Sequence, residues 1–111
     1  FVARGFSSKP KELATLVEQG IQHKGFSFIH VLSPCPTFYN TMDVWKTTVT
    51  PIPTDHDMHS RGKALELSME TEKPYVGIFF QEDRPTMDEA AHQQVQQAKM
   101  FDLEKHMQRY V

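Results

Sequence analysis

Leu13, Leu16, Val17 and Ile21 recur at three- and four-residue spacing. That spacing puts them on one face of a helix. Ser7-Ser8-Lys9-Pro10 opens this helix, with Pro10 near the first helical position, where a missing N–H is harmless. Gly20 lies on the same face and permits close packing. His23 and Lys24 suit the negative end of the helix dipole, and Gly25 suits a left-handed cap. Strand-like runs flank the helix: Phe1 to Arg4, ended by Gly5, and Phe26-Ser27-Phe28-Ile29-His30-Val31-Leu32. Strand, amphipathic helix and strand within about 30 residues make a βαβ unit. Its crossover is right-handed and its strands parallel. The second strand, rich in apolar residues, is expected to be buried.

The pattern then fades. Thr41 to Met58 shows no clear period and holds Pro51, Pro53, several threonines and Trp45. It reads as a long excursion, anchored by Val44, Trp45 and Val49, that either packs on its own domain or reaches a partner. Arg61 to Glu70 reads as a second helix with Ala64, Leu65, Ser68 and Met69 facing inward. Tyr75-Val76-Gly77-Ile78-Phe79-Phe80 is a strong strand, and Gln81 to Arg84 a polar turn. Thr86-Met87-Asp88-Glu89 matches a capping box. The helix it starts is expected to run through Gln108 behind a thin apolar stripe of Ala91, Val95 and Ala98. The expected fold class is α/β, with three strands in a partial parallel sheet. The expected parts are a βαβ unit over 1–40, a long arm over 41–58 and a helix–strand–helix extension over 59–111.

Composition narrows the function classes. The 111 residues suit one domain or part of one, and 39% are hydrophobic. The net charge is −2, with both signs mixed along the chain, so no basic stripe for nucleic acid forms. No apolar run approaches the roughly 20 residues of a membrane span. No signal-peptide pattern is present. The single cysteine cannot form an internal disulfide, and a reducing cytoplasm is the expected compartment. The apolar opening, Phe1-Val2-Ala3-Arg4, reads as the middle of a strand, so the chain is expected to be a fragment.

Cys35 is the candidate for chemistry. It stands in Ser33-Pro34-Cys35-Pro36-Thr37, between two prolines that disfavour helix on both sides. It follows the carboxyl end of a parallel strand, the edge where ligand sites of open α/β sheets gather. A lone cysteine is usually a small buried hydrophobe, but a thiolate here could be a nucleophile, a redox thiol or a metal ligand. Thr41 stands where a phosphatase loop would need arginine, and no second cysteine exists for a thioredoxin-like pair. A Cys–His nucleophile would need a positioned imidazole, for which His30 is the nearest. An iron–sulfur cluster would need ligands from elsewhere, because clusters usually take four thiolates.

Asp55-His56-Asp57-Met58-His59 carries two carboxylates and two imidazoles, which could hold a divalent metal. The plainer reading is a solvated loop in which Asp57 caps the next helix. His23, His92 and His106 fall on polar helix faces and read as surface residues.

Three blocks, in order, resemble the C-terminal part of the β subunit of 2-oxoacid:ferredoxin oxidoreductases. They are Phe1-Val2-Ala3-Arg4-Gly5-Phe6, His23-Lys24-Gly25-Phe26-Ser27-Phe28, and Ser33-Pro34-Cys35-Pro36-Thr37-Phe38. The strand Gly77-Ile78-Phe79-Phe80 followed by Asp83-Arg84-Pro85-Thr86 also fits, so the resemblance covers roughly residues 1 to 90. Where family members often read Thr-Phe-Asn, this chain has Thr37-Phe38-Tyr39-Asn40, and no role is carried to Asn40.

The resemblance implies a thiamine-diphosphate-binding α/β domain. It implies an enzyme that oxidatively decarboxylates a 2-oxoacid, pyruvate or 2-oxoglutarate, with coenzyme A and reduces ferredoxin. It implies Cys35 as one ligand of an iron–sulfur cluster. Thiamine diphosphate with magnesium, and the other cluster ligands, would belong to the upstream half of the subunit. The isolated fragment is expected to hold no cofactor and to be inactive alone. Expected partners are that upstream half, the α subunit and ferredoxin. Two rival readings stand beside this one: a stand-alone thiol-based redox domain using Cys35, and a non-catalytic interaction module using the Trp45 arm.

Overall fold

The structure, a computed structural model, describes residues 1–98 and 107–108. Four strands and four helices alternate along it. They are β1 (Val2–Phe6), α1 (Pro10–Gln22), β2 (Phe28–Leu32), α2 (Met42–Thr48), β3 (Thr50–Pro51), α3 (Arg61–Ser68), β4 (Tyr75–Phe80) and α4 (Met87–Ala98).

The β1–α1–β2 unit forms as its pattern predicts. β1 and β2 are parallel, with Val2 opposite Phe28 and Phe6 opposite Leu32. Gly20 is buried, and a Cβ there would lie 3.0 Å from Ile29 Cδ1. Gly5 does not end the first strand. β1 continues through it to Phe6, and a Cβ at Gly5 would lie 2.6 Å from Leu13 Cδ1. The missing side chain lets α1 sit on the sheet. Gly25 has φ +118°, but α1 already ends at an extended His23. Its positive φ therefore serves the following loop and not the helix cap.

The strand order is β2-β1-β4-β3. β3 and β4 are parallel, and β1 and β4 are antiparallel. The sheet is thus mixed: two βαβ units, β1–α1–β2 and β3–α3–β4, abut through strands of opposite direction. The crossover rule fixes direction within each unit. It says nothing about how two units meet, so the expectation of a parallel sheet holds only inside them.

Residues 41–58 are not a free arm. They contain α2 and β3, and Trp45 and Val49 pack on the buried cluster of Phe6, Leu32 and Val76. Trp45 meets Phe6 edge-on at 6.3 Å. Val44 is exposed and anchors nothing. A seven-residue helix is too short for its apolar period to show. In α3, Ala64 is buried, while Leu65, and Met69 just past the helix end, are exposed. This helix packs mainly on β4 and covers only a small part of the sheet.

The capping box forms in both directions. Thr86 N donates to Glu89 Oε2 at 3.0 Å, and Glu89 N donates to Thr86 Oγ1 at 3.3 Å. The expected course of this helix from 99 to 106 lies outside the described residues, as does His106.

Candidate functional site

Cys35 lies three residues beyond β2, in a tight hairpin. Tyr39 N donates to Cys35 O at 3.0 Å, and Cys35 N donates to Tyr39 O at 3.3 Å. Tyr39 O also accepts from Thr41 N at 3.0 Å, and Asn40 Oδ1 accepts from Met42 N at 3.2 Å. Asn40 therefore shapes the entry into α2. Pro36 cannot donate and fixes its own φ, which favours the turn between the paired residues.

The thiol is exposed. Hydrogen bonding from the backbone of Phe38, and then of Thr37, holds its pKa below the ordinary thiol value. Donors aimed at sulfur favour the thiolate, the form that attacks electrophiles and binds metal. The strand-end position predicted from sequence is thus correct. Among the described residues the strand before it, β2, lies at one edge of the sheet, with Phe28 and Val31 exposed and only Leu32 buried, where burial was expected.

The structure disperses the other sequence candidates. His56 Nε2 lies 2.8 Å from Phe79 O, and His59 Nδ1 lies 2.8 Å from Gln81 O. Each imidazole staples the loop to the end of β4. Asp57 Oδ1 accepts from His59 N at 3.0 Å. Ser60, not Asp57, caps α3, through Lys63 N at 3.4 Å. No group of three or more metal-ligating side chains converges among the described residues, so the metal reading of 55–59 is corrected. His92 is exposed as predicted. His23 is not: its side chain is only 1% exposed, stacks 5.8 Å from the Phe1 ring and puts Nδ1 3.5 Å from Asp83 Oδ1.

A second feature is not apparent from the sequence. Val2, Arg4, Phe28 and His30 line a cavity of about 360 Å³ with α3 and the end of β4. The Arg4 guanidinium stacks 5.0 Å over Phe79, and burial lowers its pKa. Arg61 stacks 5.5 Å over Phe80 and pairs with Glu82 at 2.7 Å. Arg61, then Arg84, holds the Glu82 carboxyl below the usual carboxylate range. The strand period does place Val2, Arg4 and Phe6 on one face, which was the available signal. His30 lines this cavity, and Cys35 does not.

No described helix is long and apolar enough to cross a membrane. Residues 35–96 match the family model for the C-terminal region of the pyruvate ferredoxin oxidoreductase beta chain. The chain is 32% identical to the 2-oxoglutarate synthase subunit KorB of Methanocaldococcus jannaschii, over 89% of this chain and 38% of that protein. It is 33% identical to the 2-oxoacid:ferredoxin oxidoreductase subunit beta of Saccharolobus solfataricus, over 75% of this chain and 32% of that one. A solved structure is also similar, that of the 2-oxoglutarate:ferredoxin oxidoreductase from Magnetococcus marinus with 2-oxoglutarate, coenzyme A and succinyl-CoA bound. The TM-score is 0.81 at 32% identity, covering 96% of this chain and 38% of that one. The chain spans about a third of the length of the curated relatives it matches. Family model, relatives and fold agree, and the chain belongs to the family formed by the C-terminal region of pyruvate ferredoxin oxidoreductase β subunits, among the 2-oxoacid:ferredoxin oxidoreductases.

Proposed function

We propose that this chain supplies one thiolate, Cys35, to an iron–sulfur cluster in a thiamine-diphosphate-dependent enzyme. That enzyme oxidatively decarboxylates a 2-oxoacid with coenzyme A and reduces ferredoxin. The observation that carries the reading is the hairpin beyond β2, which leaves the Cys35 thiol exposed, with its pKa lowered by the backbone of Phe38 and Thr37.

The donor set fits that group in part. A cluster takes cysteine thiolates, usually four, and hydrogen bonds to the sulfurs tune its potential. One exposed thiol suits one such position, and the other ligands are proposed to come from the upstream half of the subunit. A cluster held there would supply one-electron transfer. The chain's own part is to keep the sulfur outward and to favour its thiolate form, at little entropic cost since Pro34 and Pro36 already restrict the backbone. No residue of this chain is assigned to thiamine diphosphate or its magnesium. The α subunit and ferredoxin are the proposed partners, and the cytoplasm is the proposed compartment.

The test is Cys35→Ser in the full-length, assembled enzyme. The expected result is less iron per β subunit and loss of ferredoxin reduction, with the protein still folded. Full iron content and activity would overturn the ligand role. They would leave the second reading, a free redox thiol, which the same lowered pKa favours.

A further inference from the structure

Tyr39 is the main-chain partner of Cys35. The two residues stand opposite each other in an antiparallel bridge and exchange both hydrogen bonds, Tyr39 N to Cys35 O at 3.0 Å and Cys35 N to Tyr39 O at 3.3 Å. Tyr39 O accepts once more, from Thr41 N at 3.0 Å, so the backbone of this residue is tied on both sides. Directly opposed residues of an antiparallel pair send their side chains to the same face, with Cβ atoms about 4.5–5.5 Å apart. The Tyr39 ring therefore leaves the hairpin on the face that carries the Cys35 thiol. It is 71% exposed, so it adds little to the domain's own core and is free to cover something else.

Tyrosine joins an apolar ring to a polar tip. Beside a thiolate that holds iron, the ring takes the place of water next to the sulfur, while the hydroxyl stays wet. A thiolate-held cluster gains one negative charge when it takes one electron, and no bond forms or breaks. Water stabilises that added charge, and a hydrocarbon ring does not. Solvent exposure is accordingly one of the factors that set cluster potentials.

We propose that the Tyr39 ring shields the Cys35 side of the iron–sulfur cluster from water and thereby lowers its reduction potential. This role rests on Cys35 as a cluster ligand. It governs how readily the cluster accepts an electron, not how much iron is bound, so the two readings fail separately.

The test is an oxygen-free redox titration of the full-length, assembled, iron-loaded enzyme, followed by electron paramagnetic resonance. The cluster followed is the one whose signal Cys35→Ser removes. Tyr39→Ala is expected to keep its iron and to raise the midpoint, so that the ratio of reduced to oxidised cluster at a fixed potential increases at least about threefold. Tyr39→Phe, which keeps the ring, is expected to leave the midpoint in place. An unmoved or lowered midpoint in iron-replete Tyr39→Ala overturns the shield and leaves the ligand role of Cys35 standing. A shift in Tyr39→Phe as large as that in Tyr39→Ala also overturns it, because the hydroxyl and not the ring would then act. If Tyr39→Ala loses iron, Tyr39→Thr is read in the same way. Loss of iron from both overturns the proposal, since the side chain would then hold the hairpin together instead of shading the cluster.

Discussion

The Phe6 cluster and the Cys35 hairpin both stand at the same end of β2, and they are built in opposite ways. In the cluster, Phe6, Leu32 and Val76 are buried, and Trp45 closes over them. In the hairpin, Cys35 is exposed, Phe38 is 91% exposed and Tyr39 71%. Apolar burial holds the first together. Two main-chain hydrogen bonds between Cys35 and Tyr39, beside two prolines, hold the second. A loop shaped by its backbone can present a thiol outward without the fold depending on it. The hairpin is therefore suited to contacts the domain does not make within itself.

Substitutions that separate the two regions sharpen this contrast. The largest effect is expected in the cluster: Phe6→Ala should destabilise by about 3–5 kcal/mol, read by urea unfolding of the full-length subunit. A loss within surface-substitution size would mean that Trp45 and Val49 do not depend on Phe6. Next comes Gly77→Ala in β4. Gly77 has φ +134°, and a Cβ there would lie 3.4 Å from Ile52. Strain of this kind should cost about 1–3 kcal/mol, seen as faster amide exchange along β4. Thr86→Ala removes one half of the capping box and should cost about 1 kcal/mol, confined to the first turn of α4.

The smallest effect on stability is expected at the hairpin. Cys35→Ser should change unfolding by no more than about 0.5 kcal/mol, as for other exposed positions. Its pH behaviour carries more information. The folded-state pKa lies below the unfolded one, so the amides' contribution is in place above the unfolded thiol's pKa. It is lost as pH falls through the lowered folded value. In cluster-free protein, the alkylation rate against pH should therefore have its midpoint below that of the unfolded chain. Coincident midpoints would mean that the amides of Phe38, Thr37 and Tyr39 do not act on the sulfur.

Legibility in the sequence followed the range of the interactions. The βαβ unit, the span of β4 and the capping box were readable, because period, punctuation and a four-residue exchange of hydrogen bonds are local. The antiparallel meeting of β1 with β4 was not, since Val2 pairs with Phe80 across most of the chain. α2 and β3 were missed because seven and two residues show no period. For His56 and His59 a metal reading stood beside that of a solvated loop, because sequence cannot show that the carbonyls of Phe79 and Gln81 receive them. Cys35 was singled out from its prolines and its place after a strand. What the sequence could not show was the pairing of Cys35 with Tyr39 that turns this segment into a hairpin.

The most direct test of Cys35 as a ligand is its protection. The full-length, iron-loaded enzyme is treated with iodoacetamide before and after removal of iron by chelation under reducing, oxygen-free conditions, and the peptide bearing Cys35 is followed by mass spectrometry. The account predicts that Cys35 resists alkylation in the loaded enzyme and reacts readily once the iron is gone. A shielding protein surface would leave it protected in both states. Equal, rapid alkylation in the loaded and stripped enzyme, or protection that persists after iron loss, would contradict the ligand role.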